Sequence, residues 1–188
     1  MIGPQPFNVA ALFVRADSSY KSMRGVDAWD EVRDASRYLG PWPVVAHPPC
    51  RGWGRLRHLA KVRPGELALA LFAVDRVRRF GGVLEHPASS QLWQAAGLPR
   101  PGERDAFGGF TYVVHQSWWG HRAPKATWLY VVGVDPSYFP AVPFHLGLSD
   151  GRVELMGRAE RERTPERFAT WLVELARRCG ASAVREAA

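Results

Sequence analysis

The chain has 188 residues, a length that suits one domain with a core of its own. Its formal net charge of +7 favours an anionic partner, and nucleic acid is the usual one. Two cysteines, Cys50 and Cys179, are too few for a cysteine-rich zinc site or a disulfide framework. No apolar run approaches the roughly 20 residues of a membrane span, and no signal-peptide pattern opens the chain. We therefore expect a cytoplasmic protein without a membrane partner.

Five segments predict strands, because each is short, apolar and rich in β-branched or aromatic residues. In chain order they cover residues 7–14, 43–47, 83–85, 111–116 and 127–134. The pair His86-Pro87 is expected to end the third strand, since proline cannot donate to a sheet ladder.

Four segments predict helices, at residues 26–39, 66–80, 89–96 and 164–180. The second has one apolar face, formed by Leu67, Ala70, Leu71, Val74 and Val77. The last begins at Thr164-Pro165, a favourable N-terminal pair, and is expected to end at Gly180. Its apolar face consists of Phe168, Trp171, Leu172 and Leu175. Residues 135–163 are expected to form a loop-rich crossing segment.

Strands that are apolar throughout and alternate with helices predict an α/β fold with a mainly parallel sheet. We expect one domain over residues 1–180 and a disordered tail over residues 181–188. In such sheets, ligands bind beyond the carboxyl ends of the strands. The segments "HPPC" (47–50) and "EHP" (85–87) both lie at such ends, so we expect them to face one crevice.

Cys50 is a candidate nucleophile. Pro48 and Pro49 fix two φ angles just before it, and a basic run with no acid follows it. Nearby positive charge lowers the pKa of a thiol and so favours the reactive thiolate. The plain alternative is a small buried residue at a strand end, which is the role of most cysteines.

Glu85 is a candidate acid, because it lies between an apolar strand and a proline. Burial at the edge of a core can keep a carboxyl protonated or poised for proton transfer. Such a group can bind a ring nitrogen of a base or donate a proton to it. The alternative is a glutamate that caps the next helix or pairs with an arginine.

Several segments together resemble the DNA cytosine-C5 methyltransferases. "PVVAHPPCRGWG" (43–54) resembles that family's catalytic Pro-Pro-Cys segment, and "GGVLEHP" (81–87) its strand ending in a catalytic glutamate. "WWGHRAPKATWLYVVG" (118–133) is similar to the next signature, with Lys125 and Thr127 in the places of a basic pair, as in divergent phage-type members. "RERTPERFATWLVELARR" (161–178) resembles the closing helix.

The resemblance implies a compact Rossmann-like, methyltransferase-type three-layer fold that modifies a pyrimidine in DNA. Cys50 would attack C6, Glu85 would hold the base at N3, and Lys125 would assist catalysis, with S-adenosylmethionine as the methyl donor. Residues implied to contact the base or the DNA are His47, Pro49, Arg51, Trp53, Arg55, Arg57, His86, Trp119, Arg122 and Thr127. Residues assigned to the cofactor are Asp17, Ser18, Asp27, Asp34 and Pro48.

The sequence departs from the family pattern at two places. The turn after the first strand, "ALFVRADSSY" (11–20), has no glycine, whereas the family has a glycine-rich turn where S-adenosylmethionine binds. Only about thirty residues separate Gly133 from Thr164, so a target-recognition domain is not expected. These departures leave open a different donor, a pyrimidine nucleotide as substrate, or a protein partner that supplies specificity.

Two further hypotheses follow from the same residues. The chain can be an inactive methyltransferase-like module that binds DNA or a protein, for example in phage counter-defence. The histidines His47, His86, His115 and His121 raise the question of zinc, but no compact pair of ligands recurs, and we predict no metal site.

Overall fold

The computed structural model describes residues 7–55, 57–143, 156–157, 160 and 163–186, with side chains up to residue 180. Six strands form one open mixed sheet in the order β2-β1-β3-β4-β6-β5. They are β1 (Val9–Leu12), β2 (Val26–Trp29), β3 (Val44–Ala46), β4 (Gly82–Pro87), β5 (Phe110–His115) and β6 (Ala126–Val132). The first four strands run parallel, and β6 is antiparallel to its neighbours β4 and β5.

The helices whose bounds lie within the described residues are α1 (Glu66–Phe80), α2 (Leu92–Ala95) and α3 (Glu166–Glu186). Short 3-10 helices lie at Ser19–Ser22, Ala35–Arg37, Arg57–Leu59, Gln116–Trp119 and Pro136–Tyr138. Helix α1 packs on one face of the sheet and α3 on the other, so the protein has three layers. The predicted α/β architecture with a mainly parallel sheet is confirmed.

Alternation along the strands divides the core between the two faces. Ala10, Leu12 and Val44 point toward α1, where they meet its buried residues. Val9, Ala11, Val45 and Val83 point toward α3, whose predicted apolar face of Phe168, Trp171, Leu172 and Leu175 is buried. Burying one leucine or phenylalanine of this kind stabilises the fold by about 1.5–3 kcal/mol. The helices therefore hold the sheet from both sides.

The predicted helix over residues 26–39 is wrong. Val26–Trp29 is instead strand β2, paired in parallel with β1, and a short 3-10 helix follows at Ala35–Arg37. Asp30 and Asp34 accept hydrogen bonds from the backbone N–H groups of Arg33 and Ser36, which stabilises turns in place of a helix. Val32 is 89% exposed, so it belongs to no buried helical face.

Three other boundaries differ from the prediction. Strand β4 continues through His86 and Pro87, because both residues still pair with β6. Helix α3 passes through Gly180 and ends at Glu186, so the predicted stop at Gly180 is wrong. On α1 the buried apolar positions are Ala70, Ala73, Val74 and Val77, while Leu67 and Leu71 stay exposed. Helix α2 is shorter than the predicted 89–96.

Much of the predicted crossing segment 135–163 lies outside the described residues. Its described part contains the 3-10 helix Pro136–Tyr138. None of the helices in the described ranges is long and apolar enough to cross a membrane.

The strand order creates a topological switch point between β1 and β3. The connection from β1 leads outward to β2 on one side, and β3 lies on the other side of β1. Ligands in open α/β sheets bind at such a switch point. His47, which follows β3, and Glu85, near the end of β4, lie at this edge of the sheet.

The contact between β3 and β4 requires glycine at residue 82. A Cβ atom on Gly82 would lie 2.1 Å from the carbonyl oxygen of Val44, and the residue has φ +117°. We expect Gly82→Ala to lose more than about 3 kcal/mol of unfolding free energy or to prevent folding. The matched control is Gly102→Ala, which has φ +92° but open space around the new methyl group, and it should lose about 1 kcal/mol. Urea unfolding of both variants measures the difference, and equal losses would contradict the close approach.

Candidate functional site at the carboxyl edge of the sheet

The site is assembled from the ends of four neighbouring strands. The register that pairs Ala46 with Leu84 places His47 level with Glu85. Gln116 follows β5, and Thr127 lies at the start of the antiparallel strand β6, so both reach the same edge. Residues far apart in sequence therefore meet where the switch-point crevice is expected.

A chain of hydrogen bonds links these side chains. His47 Nδ1 lies 3.0 Å from Glu85 Oε2, and Gln116 Nε2 donates to Glu85 Oε1 at 2.9 Å. Gln116 Nε2 also donates to Thr127 Oγ1 at 3.1 Å. On the far side of the imidazole, the hydroxyl of Tyr20 lies 2.8 Å from His47 Nε2. The carboxylate is thus held through both oxygens.

The ionisation of Glu85 differs from the neutral acid considered above. Burial alone would raise its pKa, but the hydrogen bond from His47 and the positive charge of Lys125 lower the pKa to about 2. Glu85 is therefore a carboxylate at neutral pH and accepts hydrogen bonds there. The side chains of Glu85 and His47 are each 11% exposed. The pair is therefore largely buried at this edge of the sheet but retains contact with solvent.

Cys50 lies in a tight turn directly after the two prolines. Its carbonyl accepts hydrogen bonds from the backbone N–H groups of Trp53 and Gly54, at 3.0 and 2.9 Å. Pro48 is buried and Pro49 half-buried, whereas Cys50 is exposed and forms no disulfide. The Trp53 carbonyl accepts from the Gln91 N–H, which fixes the turn to the segment after β4. The structure therefore presents the thiol on a braced loop.

The basic run after Cys50 is divided between ion pairs and exposed charge. Arg51 Nε lies 2.7 Å from Oε1 of Glu66, the buried first residue of α1. Arg63 pairs with Glu31 at 2.8 Å. Arg55, Arg57 and Lys61 are exposed on the same loop. Arg51 thus anchors the loop, while its later charges face solvent.

His86 points to the opposite face of the sheet from Glu85 and is fully buried. Within the described residues, neither ring nitrogen makes a hydrogen bond of normal geometry. Burial lowers the pKa of His86 to about 4, against the opposing effects of the Glu85 charge and the nearby Pro49 carbonyl. The histidine is therefore neutral and supports the Pro-Pro-Cys segment from below.

Four of the residues predicted to bind a cofactor are engaged by their own neighbours. Asp17 pairs with Arg15 at 2.9 Å, and Ser18 caps the 3-10 helix that contains Tyr20. Asp27 accepts from the Trp29 indole at 2.8 Å and from Arg33 at 2.6 Å, and Asp34 caps its own turn. The fifth, Pro48, is buried just after β3, at the carboxyl edge of the sheet. Of the five predicted cofactor residues, only Pro48 is not engaged in a hydrogen bond or ion pair of this kind.

Two features near the end of β1 escaped the sequence analysis. Phe13, in the glycine-free turn, has φ 60°, a left-handed conformation that a bulky side chain rarely adopts. Asp30 directly follows β2 at the same edge, and its carboxylate is bound by Lys21. Strained backbone of this kind is typical of functional sites.

The remaining predicted contacts fall in different environments. Trp119 is 4% exposed and packs against Phe168 and Trp171, so its ring belongs to the core and offers no face to a base. Arg122 is exposed and forms a bidentate pair with Glu160, at 2.9 and 3.1 Å. In the part of the chain that the structure describes, no three His, Cys, Asp or Glu side chains come together as metal ligands.

Tyr20 and Gln116 were missed among the site residues. Gln116 ends a predicted strand at the expected edge, so its position carried a signal, as the position of Glu85 did. Tyr20 had no such signal, because it reaches His47 from a short 3-10 helix that sequence spacing does not reveal.

Comparisons with known proteins find no counterpart: no family model matches the chain, and neither a curated protein nor a solved structure is similar to it.

The buried neutral state of His86 makes stability depend on pH. The unfolded chain binds a proton at this residue below about pH 6.5 and the folded protein only below about pH 4, so unfolding free energy falls as pH falls through this window. The shift corresponds to about 3 kcal/mol. We expect His86→Gln to make the unfolding free energy depend less on pH between pH 6.5 and 4.5. This window lies above the pH range in which protonation of Glu85 changes stability. Part of the slope remains, because burial also lowers the pKa of His121.

Urea unfolding of the wild type and His86→Gln across this range provides the measurement. His58→Gln is the matched control, because it makes the same substitution at a histidine that lies exposed on the basic loop. A wild-type stability that stays flat from pH 6.5 to 4.5 would contradict the buried neutral histidine.

Proposed function

We propose that this protein modifies a pyrimidine in DNA by covalent attack of Cys50 on C6 of the ring, with transfer of a methyl or other one-carbon group to C5. The observation that carries the proposal is that the Pro-Pro-Cys loop follows β3 and Glu85 lies near the end of β4, two adjacent parallel strands. Two sequence segments that resemble cytosine-C5 methyltransferase signatures thereby face one edge. The mainly parallel three-layer sheet is compatible with a Rossmann-like, methyltransferase-type fold.

The chemistry needs a thiolate that can reach one face of the ring. When the sulfur bonds to C6, the electron pair of the C5–C6 double bond becomes available at C5 for attack on an electrophilic carbon. Loss of the C5 proton and departure of the thiolate then restore the aromatic ring. This covalent route divides one difficult step into easier ones. Cys50 suits it because the thiol is exposed on a braced turn.

Glu85 would bind the edge of the ring. As a carboxylate it accepts hydrogen bonds, so it favours an edge that presents N–H groups, such as the exocyclic amine of cytosine and a protonated N3. Lys125, whose charge lowers the pKa of Glu85, lies close enough to contribute a cation to the same site. The pair would hold the ring while the thiol adds.

DNA is the proposed substrate because exposed cations follow the nucleophile directly. Arg55, Arg57 and Lys61 on that loop can bind phosphates, which mainly position a protein on DNA. A base inside a duplex must leave the stack before a thiol can reach C6. Trp53, half-buried beside the thiol, can support the displaced base by stacking.

S-adenosylmethionine is the proposed donor, and when bound it would supply an electrophilic methyl group. The described residues fit it in part. Asp30, directly after β2, is the acid best placed to bind ribose hydroxyls beside the switch point. The backbone turn at Phe13 would lie against the donor, and its left-handed conformation takes the place of the family's glycine.

One observation favours the rival function of an inactive DNA- or protein-binding module. Asp30 and the predicted cofactor acids Asp17, Asp27 and Asp34 all have partners within the protein. A module without a donor needs the basic loop but not a reactive thiol. The trapping experiment below separates the two functions.

Covalent trapping tests the nucleophile. DNA containing 5-fluorocytosine cannot release the C5 substituent after attack, so we expect a protein–DNA adduct in the presence of S-adenosylmethionine and its loss in Cys50→Ser. Cys179→Ser is the matched control, because Cys179 is fully buried in the core and should not affect trapping. Denaturing gel shift and intact mass measure the adduct.

The other outcomes of trapping are equally informative. An adduct that forms without S-adenosylmethionine would keep the nucleophile and point to a different donor. The absence of an adduct on duplex DNA, single-stranded DNA and free nucleotide would contradict the enzyme proposal and favour the binding module.

The basic loop generates a separate prediction. Replacing Arg57 and Lys61 with glutamine should weaken binding to DNA of any sequence about tenfold or more at 50 mM salt and reduce its salt dependence by about two counterions. Arg100→Gln is the control, since Arg100 is exposed in the segment leading to the amino end of β5. Fluorescence anisotropy at several salt concentrations measures both quantities, and equal effects of the loop and control variants would contradict the assigned interface.

A further inference from the structure

We propose that His47 is a positioning residue for Glu85 and that Tyr20 in turn positions His47, so that the three side chains act as one unit on the ring edge of the substrate. The inference rests on the proposed function for its substrate, but its structural basis is independent of that function.

The geometry fixes Glu85 from two sides. His47 approaches Oε2 at 3.0 Å from the end of β3, and Gln116 donates to Oε1 at 2.9 Å from the segment after β5. Each contact uses one lone pair of its oxygen, and a carboxylate oxygen can accept a second hydrogen bond. The carboxylate is therefore held in one orientation while both oxygens keep acceptor capacity for a ligand.

Tyr20 determines which nitrogen of His47 carries the proton. Burial, and then the charge of Glu85, raise the pKa of Tyr20 well above its usual value, so the hydroxyl stays protonated. It can donate to Nε2 at 2.8 Å, and in that arrangement Nδ1 is the ring nitrogen that donates to Glu85. This arrangement satisfies every donor and acceptor between the three side chains.

The charged and titratable groups that face Glu85 come from every neighbouring element. They are His47 after β3, Tyr20 from the 3-10 helix and Lys125 before β6, while His86, the next residue of β4, points to the opposite face of the sheet. Among the effects that lower the pKa of Glu85, the His47 hydrogen bond is the largest, and burial opposes them. Without His47, the effect of burial on the pKa of Glu85 would be less strongly opposed, so the carboxyl would take up a proton at a higher pH.

A purely structural role explains the network less well. Replacing buried polar groups by apolar residues of similar size is often neutral or stabilising, so packing alone does not require three polar side chains here. His47 and Glu85 also keep 11% of their side-chain surface exposed at the edge where Cys50 lies. The unit thus faces the proposed substrate, and a structural role and a positioning role predict different pH behaviour.

The experiment compares His47→Ala, His47→Asn and Tyr20→Phe with the wild type. Asparagine can place an N–H donor close to the position of Nδ1 but cannot titrate, so it is the conservative variant. The matched control for Tyr20→Phe is Tyr112→Phe, since Tyr112 is a half-buried tyrosine of β5 that packs edge-to-face against Phe139. The first readout is the ¹³C titration of the Glu85 side-chain carboxyl, assigned with Glu85→Gln. The second is the rate of trapping on 5-fluorocytosine DNA from pH 5 to 8.

We expect His47→Ala to raise the pKa of Glu85 and to slow trapping at pH 6 by about tenfold, the factor expected from one hydrogen bond to a charged group. The loss should be larger at pH 5 than at pH 8, because a raised pKa brings the carboxyl closer to protonation at the acidic end of the range. His47→Asn should recover most of the wild-type titration and rate, and Tyr20→Phe should fall between the two. Tyr112→Phe should match the wild type.

Two results would overturn the inference. One is an unchanged Glu85 titration in His47→Ala. The other is a loss of trapping in His47→Ala that is the same at every pH and is not recovered by His47→Asn. If the titration shifts as expected but the wild type traps no DNA at any pH, the positioning role stands and the proposed function fails. If trapping depends on Cys50 while the titration does not move, the function stands and the positioning role fails.

Discussion

A nearly buried carboxylate at the end of β4 is the constraint around which this site is organised. A charge removed from water must be paired or hydrogen-bonded, and Glu85 meets that requirement with His47 on one oxygen and Gln116 on the other. Those two partners lie at the ends of two other strands, β3 and β5, so the buried carboxylate is hydrogen-bonded as an anion only when the sheet has assembled. The chemistry proposed for the edge thus depends on the tertiary fold as a whole.

The layers and most of the strands were predictable because their signals are local. Continuous apolar runs such as residues 9–12 and 44–46 bury on both faces and carry no competing pattern. Residues 26–39 were predicted to be a helix because Val26 and Trp29 fit helical spacing. Their structure is determined instead by pairing of β2 with β1 and by two aspartates that cap turns. Pairing with a distant strand leaves no mark in a short window of sequence.

The positions of Cys50 and Glu85 in the candidate site could be predicted because their signal is also local. Cys50 and Glu85 stand at strand ends beside prolines, and a strand end in a parallel sheet has a known location. The electrostatic state of Glu85 was not accessible, because burial and hydrogen bonding act in opposite directions and only the positions of His47 and Lys125 decide between them. Trp119 illustrates the converse, since an aromatic residue near a site can belong wholly to the core.

The missing side chain at Gly82 has a consequence at the other end of its strand. The backbone of Val44 comes so close to Gly82 that no other residue fits there, and this contact sets the register between β3 and β4. A slip of one residue would turn Glu85 toward α1 and bring His86 round to face His47. The absence of a Cβ atom at Gly82 therefore fixes the alignment of Glu85, three residues further along β4, with His47.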